Sequence, residues 1–190
     1  MPIISHNLEL YGFGFEKFKN YWAGDEYTRM LDRELPDNDT SWTTSTSADA
    51  EIEFIFLDNV KQTYYIDGTV TGHFKCVNDS ASTDYTLGLC GIRLTKIDKT
   101  GVETEIGGFI RRFDNLGDAQ VLLKSQGTYF AVPFKFDVKE FEIAPQEKLI
   151  LYVRLNASYN VYRSDLRILH SIKTDYGNDL FIRLPLSITI

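Results

Sequence analysis

Leu180-Phe181-Ile182-Arg183-Leu184-Pro185-Leu186-Ser187-Ile188-Thr189-Ile190 closes the chain with an apolar residue at every second position. A period of two with one greasy face reads as a half-buried strand, because successive side chains of extended backbone point to opposite sides. The alternation runs to the last residue, which predicts a C-terminus sewn into a sheet.

The same period recurs upstream. Leu149, Leu151, Val153, Leu155 and Ala157 form one such face, and Phe130, Val132, Phe134, Phe136 and Val138 another. Pro133 sits on the opposite side of that second run, and its missing N–H predicts an edge strand or a bulge. Tyr64, Ile66, Val70, Phe74 and Cys76 share a face with Gly68 and Gly72, where a neighbour can approach closely. Ile52, Phe54 and Phe56 alternate, as do Leu166, Ile168 and Ile172, with His170 on the same side. Tyr85, Leu87 and Leu89 alternate and then change phase at Gly91 toward Ile92 and Leu94, which predicts a β-bulge at that glycine. Asp98-Lys99-Thr100-Gly101 is a hairpin turn with glycine where positive φ is needed, and Val102, Thr104 and Ile106 lead back. Gly107 to Asp118 is poorly patterned and contains Arg111-Arg112.

Eight or nine short strands with turn signals between them predict an all-β chain: a two-sheet antiparallel β-sandwich of jelly-roll or related Greek-key topology. Residues 1–47 read differently. Phe13, Phe15, Phe18, Tyr21 and Trp22 crowd a stretch interrupted by Gly12, Gly14 and Gly24, compatible with a short helix or an extended arm. Leu35-Pro36-Asp37-Asn38-Asp39 breaks the chain, and Ser41 to Ser47 is a Ser/Thr tract. The expected organisation is an aromatic N-terminal arm and linker over 1–47, followed by the sandwich over 48–190. The five aromatics are the expected docking anchors, since clustered apolar area on a monomer is a liability; the alternative is an arm that folds back on its own sandwich and closes one end of the core.

The 190 residues are 43% hydrophobic, enough for a core, and carry a net charge of −7, which disfavours nucleic-acid partners. No apolar run is long enough to span a membrane, and Met1 to His6 does not read as a secretory signal. The Asn-x-Ser/Thr triplets at Asn38, Asn78 and Asn156 are therefore read as chance.

Candidate chemistry is sparse. Cys76 and Cys90 are expected as free thiols on strands flanking a hairpin, offset too far for a bridge. His6, His73 and His170 lie far apart in sequence, with His170 read as a core histidine and His73 as solvated, so a metal-dependent cupin is not expected. His73 and Cys76 point to opposite faces of one strand and form no local dyad. Asp175, Asn178 and Asp179 could ligate calcium but are read as turn residues. No catalytic, cofactor or metal site is expected, and the chain is not read as an enzyme. A glycan-binding row of aromatics could be drawn from Tyr11, Trp22, Trp42, Tyr64, Tyr65 and Tyr85.

From Trp42 onward the layout resembles β-sandwich, jelly-roll-like virion structural proteins of tailed viruses. The pattern is a Ser/Thr-rich lead-in, then Tyr65-Ile66-Asp67-Gly68-Thr69-Val70-Thr71-Gly72, Ile92-Arg93-Leu94-Thr95-Lys96-Ile97-Asp98-Lys99-Thr100-Gly101, Glu147-Lys148-Leu149-Ile150-Leu151-Tyr152-Val153 and Leu184-Pro185-Leu186-Ser187-Ile188. The resemblance implies a non-enzymatic capsid-decoration, minor-capsid or head–tail role within the virion, with other virion proteins and copies of itself as partners. The alternative is a glycan-binding sandwich such as a receptor-binding tail protein. A trimeric ligand of the tumour-necrosis-factor type ranks third, because it needs secretion.

Overall fold

A computed structural model of the chain describes residues 3–16, 27–32, 42–45, 51–56, 62–78, 81–82, 84–112, 121–124, 128–158, 166–170 and 180–189. Every regular element among them is a strand: β1 (Ile3–Glu16), β2 (Tyr27–Asp32), β3 (Trp42–Ser45), β4 (Glu51–Phe56), β5 (Tyr64–Asn78), β6 (Tyr85–Ile97), β7 (Glu103–Arg112), β8 (Val121–Leu123), β9 (Thr128–Ile143), β10 (Lys148–Ser158), β11 (Leu166–His170) and β12 (Leu180–Thr189).

Eight of these strands make two four-stranded antiparallel layers, in the orders β1-β12-β5-β9 and β4-β10-β6-β7. The pairs β1:β12, β4:β10, β5:β9 and β6:β7 nest inside one another. A long hairpin rolled upon itself pairs in this way, and the result is a jelly roll. A short parallel contact of β2 with β4, Met30↔Ile55 and Leu31↔Phe56, links one layer to the other.

The alternating residues of both layers meet in one core. Phe54, Ile66, Val70, Phe74, Leu94, Leu151, Val153 and Ile182 are all buried within it. The expected central face is present: Val132, Phe134 and Val138 are buried with Leu149, Leu151, Val153 and Leu155, while Phe130 and Phe136 pack against them half-buried. The closing strand β12 lies between β1 and β5, so the terminal alternation is interior to its layer.

Three expectations are corrected. First, Ile3–Glu16 is not a separate arm. It pairs with β12 from Ile3↔Thr189 to Tyr11↔Phe181, and Leu8 and Leu10 are core residues. A sandwich starting at residue 48 would leave that edge of β12 bare, so the boundary at 47 does not mark where the fold begins. Second, the phase change in β6 falls at Gly88, not Gly91. Leu89 pairs with Asn156 and Leu87 with Ala157, leaving Gly88 as the extra residue, and the buried series runs Leu87, Cys90, Ile92, Leu94. Third, the poorly patterned segment after Ile106 continues as strand β7 as far as Arg112.

Two turn readings hold. Gly101 has φ 89°, as the Asp98–Gly101 hairpin requires. Pro133 lies on β9, which pairs only with β5 among the described residues and so forms an edge. A bulge also interrupts β9: Ile66 pairs with Phe141 and Gly68 with Val138, and the N–H of Glu140 (φ 42°) donates to Asp67 Oδ1 at 3.2 Å.

Candidate functional site

The outer face of the β4-β10-β6-β7 layer carries the most structured polar surface. Inward positions hold Ile92, Leu94, Leu151 and Val153, so alternation turns Gly91, Arg93, Thr95, Tyr152 and Arg154 outward. Register places these in rows across the strands: Glu53, Tyr152, Arg93 and Gly108 in one, and Glu51, Arg154, Gly91 and Ile110 in the next. Gly91 and Gly108 contribute no side chain, and a cleft of about 370 Å³ opens over them. Its walls are Arg93, Tyr152 and Arg154 on one side and Glu105 and Ile110 on the other.

The walls are held by a compact network. The guanidinium of Arg93 lies 4.0 Å from the centroid of the Tyr152 ring, and its Nη1 donates to Glu103 Oε1 at 2.9 Å. Burial foremost, then the carboxylates of Glu53 and Glu103, push the Tyr152 phenol above its ordinary value. The group therefore stays protonated at neutral pH. Stacking fixes Arg93 to the sheet, so its donors are held in place without mobile side-chain entropy. Ile110 stands 68% exposed at the rim. The chemistry on offer is recognition, with fixed N–H donors, a carboxylate acceptor and an apolar contact.

The residues singled out from the sequence fall elsewhere. Phe13 and Phe15 lie on β1, opposite Met30 and Thr28 of β2. Phe18, Tyr21 and Trp22 lie outside the described residues, as do Asn38 and the Asp175, Asn178 and Asp179 loop. Cys76 and Cys90 are free and buried, as expected, but they do not flank one hairpin. β5 and β6 belong to opposite layers, and Cys76 pairs with Phe130 and Ile168 instead. Its thiol donates to the Phe130 carbonyl at 3.5 Å. Burial pushes both thiols up to about 12, which makes them inert as nucleophiles. His73 is half-buried, its ring 5.8 Å from that of Phe181. His170 pairs with Trp42 in the β11–β3 ladder. Asn78 is fully buried at the end of β5, closed to glycosylation in this fold. Of the proposed aromatic row, Tyr64 packs on the core while its neighbour Tyr65 reaches Glu142 at 3.4 Å, so adjacent tyrosines serve different faces. Among the described residues, no group of three or more His, Cys, Asp or Glu is placed to hold a metal ion.

The cleft itself was not anticipated from the sequence. Its signal in the sequence is the pair of glycines, although Gly91 alone reads as a bulge and Gly108 falls in the segment without pattern.

No protein-family profile matches the chain, and no curated protein does. Solved structures do match in fold. A CocE/NonD family hydrolase from Staphylococcus aureus superposes with a TM-score of 0.62 at 12% identity, covering 96% of this chain and 36% of that one. An alpha-amino acid ester hydrolase gives 0.57 at 11%, covering 95% and 36%. An aminopeptidase from a marine-sediment Thaumarchaeota archaeon gives 0.57 at 8%, covering 97% and 37%. The chain thus spans about a third of the length of these proteins. At such identities the likeness establishes a shared β-sandwich fold and nothing of activity.

Proposed function

We propose that the chain is a non-catalytic structural module that acts by docking and self-assembly, and that it serves as a virion structural protein of the capsid-decoration, minor-capsid or head–tail kind. The observation that carries this reading is the nested jelly roll, with its first and last strands paired side by side from Ile3↔Thr189 to Tyr11↔Phe181. Such a block is rigid, and its sheet edges and outer faces are the surfaces it can offer to neighbours. The sequence resemblance to tailed-virus sandwich proteins supports the virion context. A fold that makes up about a third of three longer chains also suits a unit that works beside other parts. No nucleic acid, membrane or cofactor enters this reading.

The test is mass spectrometry of purified particles from the producing host. Recovery of the chain at fixed stoichiometry supports the reading, and its absence from every particle fraction overturns it.

The cleft over Gly91 and Gly108 favours a second reading, a glycan-binding module. Oriented guanidinium donors beside an apolar rim suit a sugar hydroxyl pattern. Screening against a glycan array, with Arg154→Ala as control, separates the two readings. Binding to a defined glycan that the substitution abolishes would move the assignment to recognition.

A further inference from the structure

Among the described residues β9 and β7 each pair on one side only, and these two edges are built differently. β9 carries the devices that keep an edge from pairing. It has Pro133, the bulge at Glu140 and exposed Lys135, Asp137 and Lys139 along its length. β7 has no proline; its bulge is the extra residue at Ile106, and its exposed charges gather at the two ends, Glu103 and Glu105 at one and Arg111 and Arg112 at the other. It pairs only with β6 among the described residues, contains no lysine, and is exposed at most positions from Glu103 to Arg112. An extended edge is a template for a strand whose charges match its own.

The sequence of β7 says which strand fits. Its first half carries Glu103 and Glu105, its last Arg111 and Arg112. Glu103 lies opposite Ile97 of β6 and Arg112 opposite Leu89, so the two are equally spaced about Arg93, whose partner is Gly108. Glu105, opposite Thr95, and Ile110, opposite Gly91, are likewise symmetric about that point. The extra residue at Ile106, where the β6–β7 register shifts, is what brings the acidic half into step. Turned about a twofold axis through Gly108, the strand meets its own image with Glu103 facing Arg112 at both ends. Gly108 at the axis presents no side chain, and strand glycines mark places where another backbone comes close.

We infer that β7 is the self-association edge of this protein: two copies join by antiparallel β7–β7 pairing about Gly108 into one continuous sheet across two sandwiches. The occupant is a second copy because the charge pattern is complementary to itself, as an isologous twofold contact requires. This deepens the self-assembly reading by naming its surface, and it is separable from the virion assignment because it is tested on purified protein alone.

Two exposed double variants test it. Arg111→Glu with Arg112→Glu leaves β7 acidic at both ends, and Glu103→Lys with Glu105→Lys leaves it basic at both ends. Thermal melts confirm that each remains folded. By analytical ultracentrifugation the wild type runs at twice the 21.8 kDa chain mass. Each variant alone dimerises at least about tenfold more weakly, equivalent to about 1.4 kcal/mol. An equimolar mixture of the two recovers the dimer, because acidic edge then meets basic edge. A monomeric wild type, variants that dimerise as the wild type does, or a mixture that stays monomeric would each overturn the inference. A dimer that never enters particles would leave it standing and overturn the virion reading instead.

Discussion

Gly72 of β5 lies directly opposite Phe134 of β9, and the phenyl ring fills the space that a side chain at position 72 would need. A Cβ there would sit 2.5 Å from Phe134 Cζ and would also strike the Phe181 carbonyl oxygen. An aromatic ring laid over a strand glycine restores the packing that the glycine lacks. Gly72→Ala is therefore expected to destabilise the fold by about 1–3 kcal/mol, the range for overpacking a core. Urea denaturation reads this directly, and an unchanged midpoint would mean that the ring packs elsewhere.

Phe134 is 4% exposed, so removing it opens a cavity. Phe134→Ala should cost about 3–5 kcal/mol. Combined with Gly72→Ala the loss should fall short of the sum, because the clash with the ring is then gone and only that with the Phe181 carbonyl oxygen remains. Strict additivity would show that the two residues do not share that space.

The buried thiols link stability to alkaline pH. Burial raises Cys76 and Cys90 from an ordinary 9.0 to about 12 in the folded state. A raised folded value means that their contribution is complete below pH 9 and is lost as pH climbs from there toward 12. Stability should therefore decline over that window, and less so in a Cys76→Ala, Cys90→Ala variant. A thiol reagent at pH 8 should label neither cysteine until denaturant is added. Rapid labelling of the native protein would contradict the burial.

Lys96 anchors the turn between β9 and β10. Its Nζ donates to both Glu147 carboxylate oxygens, at 2.9 and 3.0 Å, and to the Glu142 carbonyl at 2.9 Å. Glu147 Oε2 also accepts from the Ala144 N–H at 2.7 Å. With side-chain exposures of 18% and 12% the pair is mostly out of water. Lys96→Met should then cost about 2–4 kcal/mol, somewhat below the loss at a fully buried pair. Moderate salt should shift wild-type stability little through this pair. A loss within a few tenths of a kcal/mol would place the pair in solvent.

The Asp98 carboxylate organises the β6–β7 hairpin. Its Oδ1 accepts from the Thr100 hydroxyl at 2.7 Å, the Thr100 N–H at 2.8 Å and the Val102 N–H at 2.9 Å. The Thr100 hydroxyl leads the groups that hold its pKa below the ordinary 3.8. Its stabilising share is thus present above that value and is lost as pH falls through the lower folded one. Carboxyl titration by NMR should find Asp98 below the ordinary 3.8, and the loss of melting temperature in Asp98→Ala should be full above pH 4 and shrink as the pH falls further. An ordinary titration would show that the turn does not need the carboxylate.

Much of this molecule is written in local pattern. Alternation alone identifies β4, β5, β9, β10 and β12, because each buries one face and the side-chain period of a strand is two. The turn at Asp98–Gly101 is equally legible, since only a few residue types satisfy positive φ and a side-chain cap together. The two-sheet sandwich class follows from counting such strands. What the pattern could not reveal is partnership. Ile3–Glu16 reads as an arm because Gly12, Gly14 and crowded aromatics blur its alternation, and only the ladder with β12 makes it a strand. β7 lacks pattern because the extra residue at Ile106 breaks its phase and Gly107 and Gly108 put no side chains on either face. The bulge moved from Gly91 to Gly88 because register is a property of two strands, not one. The cleft over Gly91 and Gly108 and the self-matching edge of β7 arise in the same way. Each needs residues from separate strands brought level by hydrogen-bond register, and that alignment exists only once the chain has folded.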